Sequence, residues 1–287
     1  MAKVRIPTAS RRPGWPIYTV LCVVLLIGLF PFYWTFLIGS GDQSTFARFD
    51  ALDIDSWIPA GNFASNVQTV LQNSAVGYWR SLGNSLIVSI TVSITTVLLA
   101  TLAGFAFAKL RFRASEKLLI FVIATMAVPV QLGVVPLYIV FFKLGMVGNL
   151  SSVIIPGLVS AFGVFWMTQY IRQALPDELI EAARVDGCNT LRTFWSIVLP
   201  AARPAAAMLA LFTFIASWTN FFWPYITLGN SDNKTLPVAL QVLSANYFVD
   251  FSIVMTGVLM STIPLIILFI VAGKQLVSGI MQGAVKG

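Results

Sequence analysis

The stretch Ser81–Ala108, SLGNSLIVSITVSITTVLLATLAGFAFA, contains no charged residue and lies between Arg80 and Lys109. A helix needs roughly 20 consecutive apolar residues to cross the hydrocarbon core of a bilayer. This stretch is longer than that, and it contains no proline, which would interrupt helical hydrogen bonds. The sequence therefore predicts a transmembrane helix at this point.

Five more uncharged, mostly apolar runs occur along the chain, and each is long enough to span a bilayer. The predicted spans cover about 15–39, 82–108, 118–142, 150–171, 205–228 and 252–273. All except the second have proline in their interiors: Pro31, Pro129, Pro136, Pro156, Pro224 and Pro264. Proline in a membrane helix frees a backbone carbonyl and bends the axis. These positions are therefore either ordinary kinks or places where a helical bundle changes shape.

We interpret residues 42–80 as an external loop, although part of this segment is also uncharged. The stretch from Ser56 to Trp79 contains five side-chain amides, which would be costly against lipid: Asn62, Asn66, Gln68, Gln72 and Asn73. The first apolar run is longer than the core of a signal peptide and lacks a clean cleavage site, so we expect it to be retained as a helix.

The composition of the whole chain excludes an ordinary soluble domain. Of its 287 residues, 57% are hydrophobic and only 10% are charged, and the mean hydropathy is +0.85. Soluble domains carry about 25% charged residues. We therefore predict an all-α polytopic membrane protein with six transmembrane helices, in which residues 1–287 form a single domain.

The basic residues predict the orientation of this bundle. Fourteen of the 18 lysines and arginines fall on the N-terminal segment or on segments that share its side of the membrane, and four fall opposite. Cytoplasmic segments carry the excess of Lys and Arg, so we expect both termini in the cytoplasm (N-in, C-in). Attraction to anionic lipid then accounts for the net charge of +7 without a nucleic-acid partner.

The sequence lacks the residues that metal binding, ATP binding and catalysis usually require. The chain has no histidine, no metal-ligand spacing and no GxxxxGK[ST] loop, so we expect no metal site, no ATP site and no catalytic residue in it. The predicted spans also lack charged residues at mid-depth, where ion-coupled carriers usually keep them. The neutral polar groups there would suit a hydroxyl-rich solute, and the candidate path residues are Asn84, Gln131 and Asn220.

One charged segment interrupts the second half of the chain. Arg172–Pro204, here called the charged segment, carries four basic and four acidic residues. Its pattern predicts a short helix that ends at Gly187, then a second helix over Thr190–Leu199 that Pro200 stops. Glu181 and Arg184 are spaced to pair on one helix face. Such a segment is either a docking element for a cytoplasmic protein or a solvated amphipathic loop.

A resemblance favours the docking element. Glu181-Ala182-Ala183, Asp186-Gly187 and Leu199-Pro200 resemble the "EAA" signature of ABC-importer permease subunits, and Asp186 before Gly187 is more similar to the carbohydrate branch. NSLIVSI (84–90), SWTNFFWP (217–224) and the terminal GAVKG (283–287) are similar to the shorter maltose-type permease. The resemblance implies a type I importer bundle in which these EAA residues form a cytoplasmic coupling helix that sits in a cleft of an ATPase.

The same resemblance implies the function and the partners. We expect a permease subunit of a binding-protein-dependent ABC importer in a bacterial or archaeal cytoplasmic membrane, which moves a sugar, of di- or oligosaccharide size. Its expected partners are an ABC ATPase dimer that binds ATP and Mg²⁺, a second and different permease subunit, an extracytoplasmic sugar-binding protein and the lipid bilayer. The external loop 229–251 corresponds to one that enters the binding protein.

Two further points stay open at the level of sequence. The C-terminal tail, with Gln282 and Lys286, either contacts the ATPase, as in the maltose-type relative, or is a frayed end. The alternative functions are a peptide or amino-acid ABC importer permease and a stand-alone secondary carrier. The aromatic residues Trp166, Trp218, Trp223 and Tyr225 are expected either to stack on a sugar or to lie at the lipid interface.

Overall fold

The structure is a computed structural model that describes residues 14–245 and 249–284, with side chains up to Gly273. Four long helices dominate it: α1 (Trp15–Gly39), α4 (Tyr78–Lys109), α11 (Leu199–Trp218) and α14 (Phe251–Ala284). The shorter helices are α2 (Thr45–Arg48), α3 (Phe63–Gln72), α5 (Ser115–Thr125), α6 (Val134–Lys143), α7 (Ser151–Gly157), α8 (Ala161–Ala174), α9 (Asp177–Val185), α10 (Thr190–Thr193), α12 (Phe222–Leu228) and α13 (Leu236–Leu240). The prediction of an all-α polytopic fold is confirmed.

Five stretches of the described chain are long and apolar enough to cross a membrane as helices: Trp15–Gly39, Tyr78–Lys109, Ser151–Ala174, Thr190–Trp218 and Phe251–Gly273. A sixth crossing is possible if Ser115–Thr125 and Val130–Lys143 act together, although they meet at an angle of 87°. Pro129 lies at this bend, where its ring removes a helical hydrogen bond.

Helix α4 lies at the centre of the bundle and packs along both α8 and α11. A core of large apolar side chains fills the space between these helices, including Phe105, Met167, Ile171, Phe194 and Leu209. Small residues let the backbones approach, as Gly163 on α8 does beside Ala100 on α4. Close backbone approach of this kind is how helices associate in lipid, where burial of apolar surface gives little driving force.

The chain between α1 and α4 folds over one end of the bundle. Most of α1 is exposed, but its last turn is buried beside α14, and Thr256 donates a hydrogen bond to the carbonyl of Gly39 over 2.9 Å. The amphipathic helix α3 turns Val70 into a second apolar core between α4 and α14. Asn66, one of the amides predicted to disfavour lipid, holds this end together by donating to the carbonyls of Gly39 and Gly41.

Two helix ends differ from the sequence-based expectation. Pro200 does not stop a helix, because the helical chain runs without a break from Thr190 to Trp218. Residues Phe194–Val198 adopt a π-helix in which the Leu199 amide donates to the carbonyl of Phe194. This wider turn accommodates Pro200, which has no N–H to give and whose ring crowds the carbonyl four residues earlier. The second difference lies in the predicted span 205–228. There α11 ends at Trp218, and a separate helix, α12, begins at Phe222.

Candidate functional site

Helix α9 is the first element of the charged segment, and a complete glycine cap ends it. Gly187 has a φ of 79°, a left-handed conformation that side chains disfavour. The Gly187 amide donates to the carbonyl of Arg184, and the Cys188 amide donates to that of Ala183. These two bonds define a Schellman motif, which satisfies the last carbonyls of the helix. The chain can therefore reverse sharply here and present the end of α9 as a blunt tip.

The two faces of α9 differ in burial. Ile180 and Ala183 are each 4% exposed and pack inward, whereas Glu181, Ala182 and Asp186 are exposed. Of the predicted EAA residues, the second alanine thus supports the bundle, while the glutamate and the first alanine face outward. Leu199 is partly buried against the core, and Pro200 is exposed on the continuous helix. These two residues therefore belong to α11 and not to α9.

Sequence reasoning missed four exposed apolar residues in the charged segment. Val185 is 89% exposed and Leu191 is 66% exposed, and Leu179 and Trp195 are about half exposed. They lie among exposed charged side chains, so this end of the protein is not a lipid-facing belt. Exposed apolar side chains within a charged segment make it a candidate interaction site, because a contiguous apolar patch rimmed by polar residues is the mark of one. The signal in the sequence was their presence in the only long charged stretch of the second half.

An ion pair fixes the start of α9. The Lys109 ammonium lies 2.6 Å from the Asp177 carboxylate, and the Lys109 side chain is only 6% exposed. The hydrogen bond from Lys109, followed by its charge, lowers the pKa of Asp177 below the ordinary 3.8. Glu181 and Arg184 do not form the predicted ion pair, because the described part of the chain contains a single salt bridge, the one between Lys109 and Asp177.

A cavity of about 560 Å³ lies between the bent helix pair and the break after α11. Gln131 and Asn220, two of the three predicted path residues, both line it, together with Thr213, Ser217 and Trp223. No charged side chain is among the lining residues. The cavity thus combines apolar walls with a few neutral hydrogen-bonding groups.

Both breaks in the helices open onto this cavity. Val130–Gly133 forms a single 3-10 turn between α5 and α6, and Asn220 lies between α11 and α12. Irregular backbone at membrane depth is tolerated only where it is buried in protein or lines a cavity. Discontinuous helices of this kind supply free peptide groups to a solute, as in many transporters.

The third predicted path residue lies elsewhere. The amide of Asn84 donates to the backbone carbonyl of Lys234 over 3.0 Å, and its side chain does not line the cavity. Asn84 is therefore engaged in holding the segment between α12 and α13 against α4.

Three tryptophans form hydrogen bonds between neighbouring helices. Trp166 donates to the carbonyl of Ala205, Trp218 to that of Ser261 and Trp223 to that of Ser152. Of the three, Trp223 also lines the cavity. The expected choice between sugar stacking and lipid contact thus omitted a third role, which is fixing helix positions. Tyr225 is 45% exposed and stacks on Phe221.

The predicted tail contact falls at the limit of the structure. Lys286 lies outside the described residues, and Gln282 lies in α14 beyond the last described side chain. Among the residues described, no group of three or more His, Cys, Asp or Glu side chains could hold a metal ion. Cys22 and Cys188 are free thiols.

Comparison with known proteins adds a family and relatives. Residues 96–274 match the family described as binding-protein-dependent transport system inner membrane component. The chain is 34% identical over 210 residues to the arabinooligosaccharides transport system permease protein AraQ of Halalkalibacterium halodurans, a match that covers 73% of this chain and 75% of that protein. It is 28% identical to the lactose transport system permease protein LacG of Rhizobium radiobacter, across 96% and 97% of the two chains.

A third relative and a solved structure extend the comparison. The sn-glycerol-3-phosphate transport system permease protein UgpE of Escherichia coli (strain K12) is 26% identical across 95% of this chain and 98% of its own. The fold matches that of a bacterial ABC transporter involved in the import of the acidic polysaccharide alginate, with a TM-score of 0.74 and 24% sequence identity. That match covers 94% of this chain and 99% of the other.

Proposed function

Because the chain belongs to the family of binding-protein-dependent transport system inner membrane components, we propose that it is a permease subunit of an ABC importer for a neutral sugar. It is a multi-pass protein of the cytoplasmic membrane. The observation that carries the proposal is the cavity of about 560 Å³ at the two helix breaks. In this reading the cavity forms part of the translocation path.

The lining of the cavity favours a neutral solute over an anionic one. Gln131, Ser217 and Asn220 supply donors and acceptors that match hydroxyl groups, and no lysine or arginine lines the cavity. A phosphate or a uronate would be left without a positive partner on this chain, and an unpaired charge is costly away from water. Arabino-oligosaccharides or lactose, the solutes in the names of two relatives, therefore suit it better than sn-glycerol 3-phosphate.

Energy for uphill transport would enter through the charged segment. Its exposed apolar residues and the blunt end of α9 would dock in a cleft of an ATPase dimer, which would hold ATP and Mg²⁺. Glu181 and Asp186 would give polar contacts at the rim, and the small side chain of Ala182 would allow close approach. The chain itself carries no catalytic residue in this proposal.

Transport would then be a two-state change biased from both faces of the membrane. The binding protein would favour one arrangement of the bundle by docking outside, and closure of the ATPase dimer would favour the same arrangement by moving α9. The bends at Pro129 and at Asn220 are places where segments can shift without breaking regular helical hydrogen bonds. A second permease subunit would complete the path.

The test is purification from the native membrane in mild detergent, followed by reconstitution. An ATPase, a second permease and a binding protein should copurify, as judged by mass spectrometry. Proteoliposomes should then take up lactose or arabinotriose only with ATP and the binding protein, and sn-glycerol 3-phosphate should compete poorly. Uptake by the chain alone without ATP would establish a secondary carrier, and uptake of peptides or amino acids would replace the sugar assignment.

A further inference from the structure

Helix α4 is the one predicted span without proline, and the structure shows it as a single helix from Tyr78 to Lys109. Its 32 residues extend about 48 Å at 1.5 Å per residue. Helices without proline or another break resist sharp bending. The other crossing segments are bent, broken or contain proline, so α4 is the stiffest connection between the two ends of the bundle.

One end of α4 holds the segment that follows α12. The amide of Asn84 donates to the carbonyl of Lys234, and the hydroxyl of Ser85 accepts from the amide of Leu236 over 2.8 Å. Arg80 adds a hydrogen bond to the side chain of Asn233 over 3.0 Å. Ser85 and Leu236 are buried, at 2% and 0% exposure, so their bond is shielded from water.

The other end of α4 holds α9. Lys109 is the last residue of α4, and Asp177 is the first residue of α9. Their ion pair therefore joins the two helix ends directly over 2.6 Å. Arg172, at the end of α8, donates to the carbonyl of Phe107 over 3.3 Å and so joins α8 to this same end of α4.

These two attachments are far enough apart to lie on opposite sides of a membrane. Ser85 and Lys109 are separated along the helix by about 36 Å, which exceeds the roughly 30 Å of a hydrocarbon core. One end of α4 would then lie on the side from which a binding protein docks, and the opposite end contacts α9, the helix proposed to dock on the ATPase. No other helix in the described chain makes side-chain hydrogen bonds to both of these segments.

We propose that α4 is a rigid link that transmits binding-protein docking to α9, with Lys109 and Ser85 as its two positioning residues. This inference rests on the proposed function. Displacement of the 233–236 segment would move α4 along with it, because the bond between Ser85 and Leu236 is buried. Lys109 would carry that displacement to Asp177, and through it to the ATPase.

The experiment measures ATP hydrolysis by the purified full complex, with and without the copurified binding protein. Lys109→Met, Asp177→Ala and Ser85→Ala should each reduce the stimulation by binding protein to about a third, as expected from the loss of one such contact. Basal hydrolysis should not change in Lys109→Met and Ser85→Ala, because both residues lie on α4, outside the charged segment. The matched controls are Lys117→Met, an exposed lysine on α5, and Ser89→Ala, a buried hydroxyl on α4 without a hydrogen-bond partner.

A double variant distinguishes one continuous link from two residues that affect stimulation independently. Ser85→Ala combined with Lys109→Met should lose no more stimulation than the worse single variant, because either change already interrupts the link and the remaining third reaches the ATPase through other contacts. Independent effects would multiply instead, and that result would overturn the inference. So would normal stimulation in Asp177→Ala, which removes the acceptor at an exposed position and is therefore expected to assemble.

Failure of the proposed function looks different from failure of the link. A wild-type complex whose ATP hydrolysis does not respond to the binding protein would contradict the importer assignment itself. A wild-type complex that responds, together with variants that respond equally, would leave the importer assignment standing and remove the role of α4.

Discussion

Gly104 on α4 and Met167 on α8 approach so closely that a methyl group on Gly104 would lie 2.8 Å from the Cβ atom of Met167. It would also lie 2.9 Å from the backbone nitrogen of Thr168. Backbone atoms in the middle of a helix cannot move aside cheaply, so the two helices would have to separate. This contact sets the distance between the central helix and α8.

Gly104→Ala should therefore destabilise the protein by about 1–3 kcal/mol, the usual cost of overpacking. Gly83→Ala is the matched control, since Gly83 lies on the same helix with open space at its Cβ position. That change should leave stability unchanged or raise it by about 0.5–1 kcal/mol, because alanine is the better helix former. Thermal unfolding in detergent, followed by tryptophan fluorescence, measures both. Equal melting temperatures for the two variants would contradict the packing described.

Substitutions at Gly187 should affect coupling in a graded order. Space is open around Gly187, so the cost of a side chain comes from its φ of 79° alone. Alanine should cost about 1–2 kcal/mol there, and asparagine less, because asparagine tolerates the left-handed region. Proline should be worst, since it fixes φ near −65° and removes the amide that donates to Arg184.

The measurement is the amount of sugar transported per ATP hydrolysed in proteoliposomes. We expect the order wild type, Gly187→Asn, Gly187→Ala and Gly187→Pro, with membrane insertion unchanged in all four. Normal transport by Gly187→Pro would contradict the assignment of α9 as the docking helix.

Changes in the cavity should alter transport without altering stability. Asn220→Leu and Gln131→Leu each remove neutral hydrogen-bonding groups from the lining, and Asn220 and Gln131 are both exposed to the cavity. The loss of one hydrogen bond to a solute corresponds to about 0.5–1.5 kcal/mol, or roughly a two- to tenfold decrease in uptake rate. Thr219→Val, next to Asn220 but outside the lining, should transport normally. Equal rates for all three variants would place the path elsewhere.

Loss of Lys109 should raise the pKa of Asp177 towards its ordinary value of 3.8, because Lys109 supplies the hydrogen bond and the charge that lower it. The sign follows from linkage: the folded pKa is depressed, so the contact stabilises the protein above pH 3.8 and is lost as the pH falls through the folded value. A carboxyl carbon NMR titration of Lys109→Met, with Lys117→Met as the control, measures the shift. An unchanged pKa in Lys109→Met would show that the ion pair does not persist in solution.

Local features of the fold were predictable because they depend on neighbouring residues. Long uncharged runs indicated the membrane helices, and Gly187 indicated the end of α9, since only glycine adopts its conformation without cost. The prediction that Pro200 stops a helix was wrong. Proline has no N–H to donate, but a π turn over Phe194–Val198 accommodates this loss within a continuous helix.

The candidate site was predictable only in part. The outward position of Glu181 and Ala182 follows from the helical pattern of α9, but the inward position of Ala183 depends on the core beneath it. Leu191 and Trp195 looked like ordinary apolar residues until their exposure was known. Burial is decided by what packs above a residue, and a single sequence does not contain that information.

The sequence by itself determined that this chain is a bundle of membrane helices with a charged segment whose first helix ends at Gly187, because apolar length and backbone conformation are local properties. The tertiary structure decided which polar groups meet. It brings Gln131 and Asn220 to one cavity, directs Asn84 to Lys234 instead, and joins Lys109 to Asp177. Such pairings depend on how helices from distant parts of the chain pack, and close packing is a property of the whole molecule.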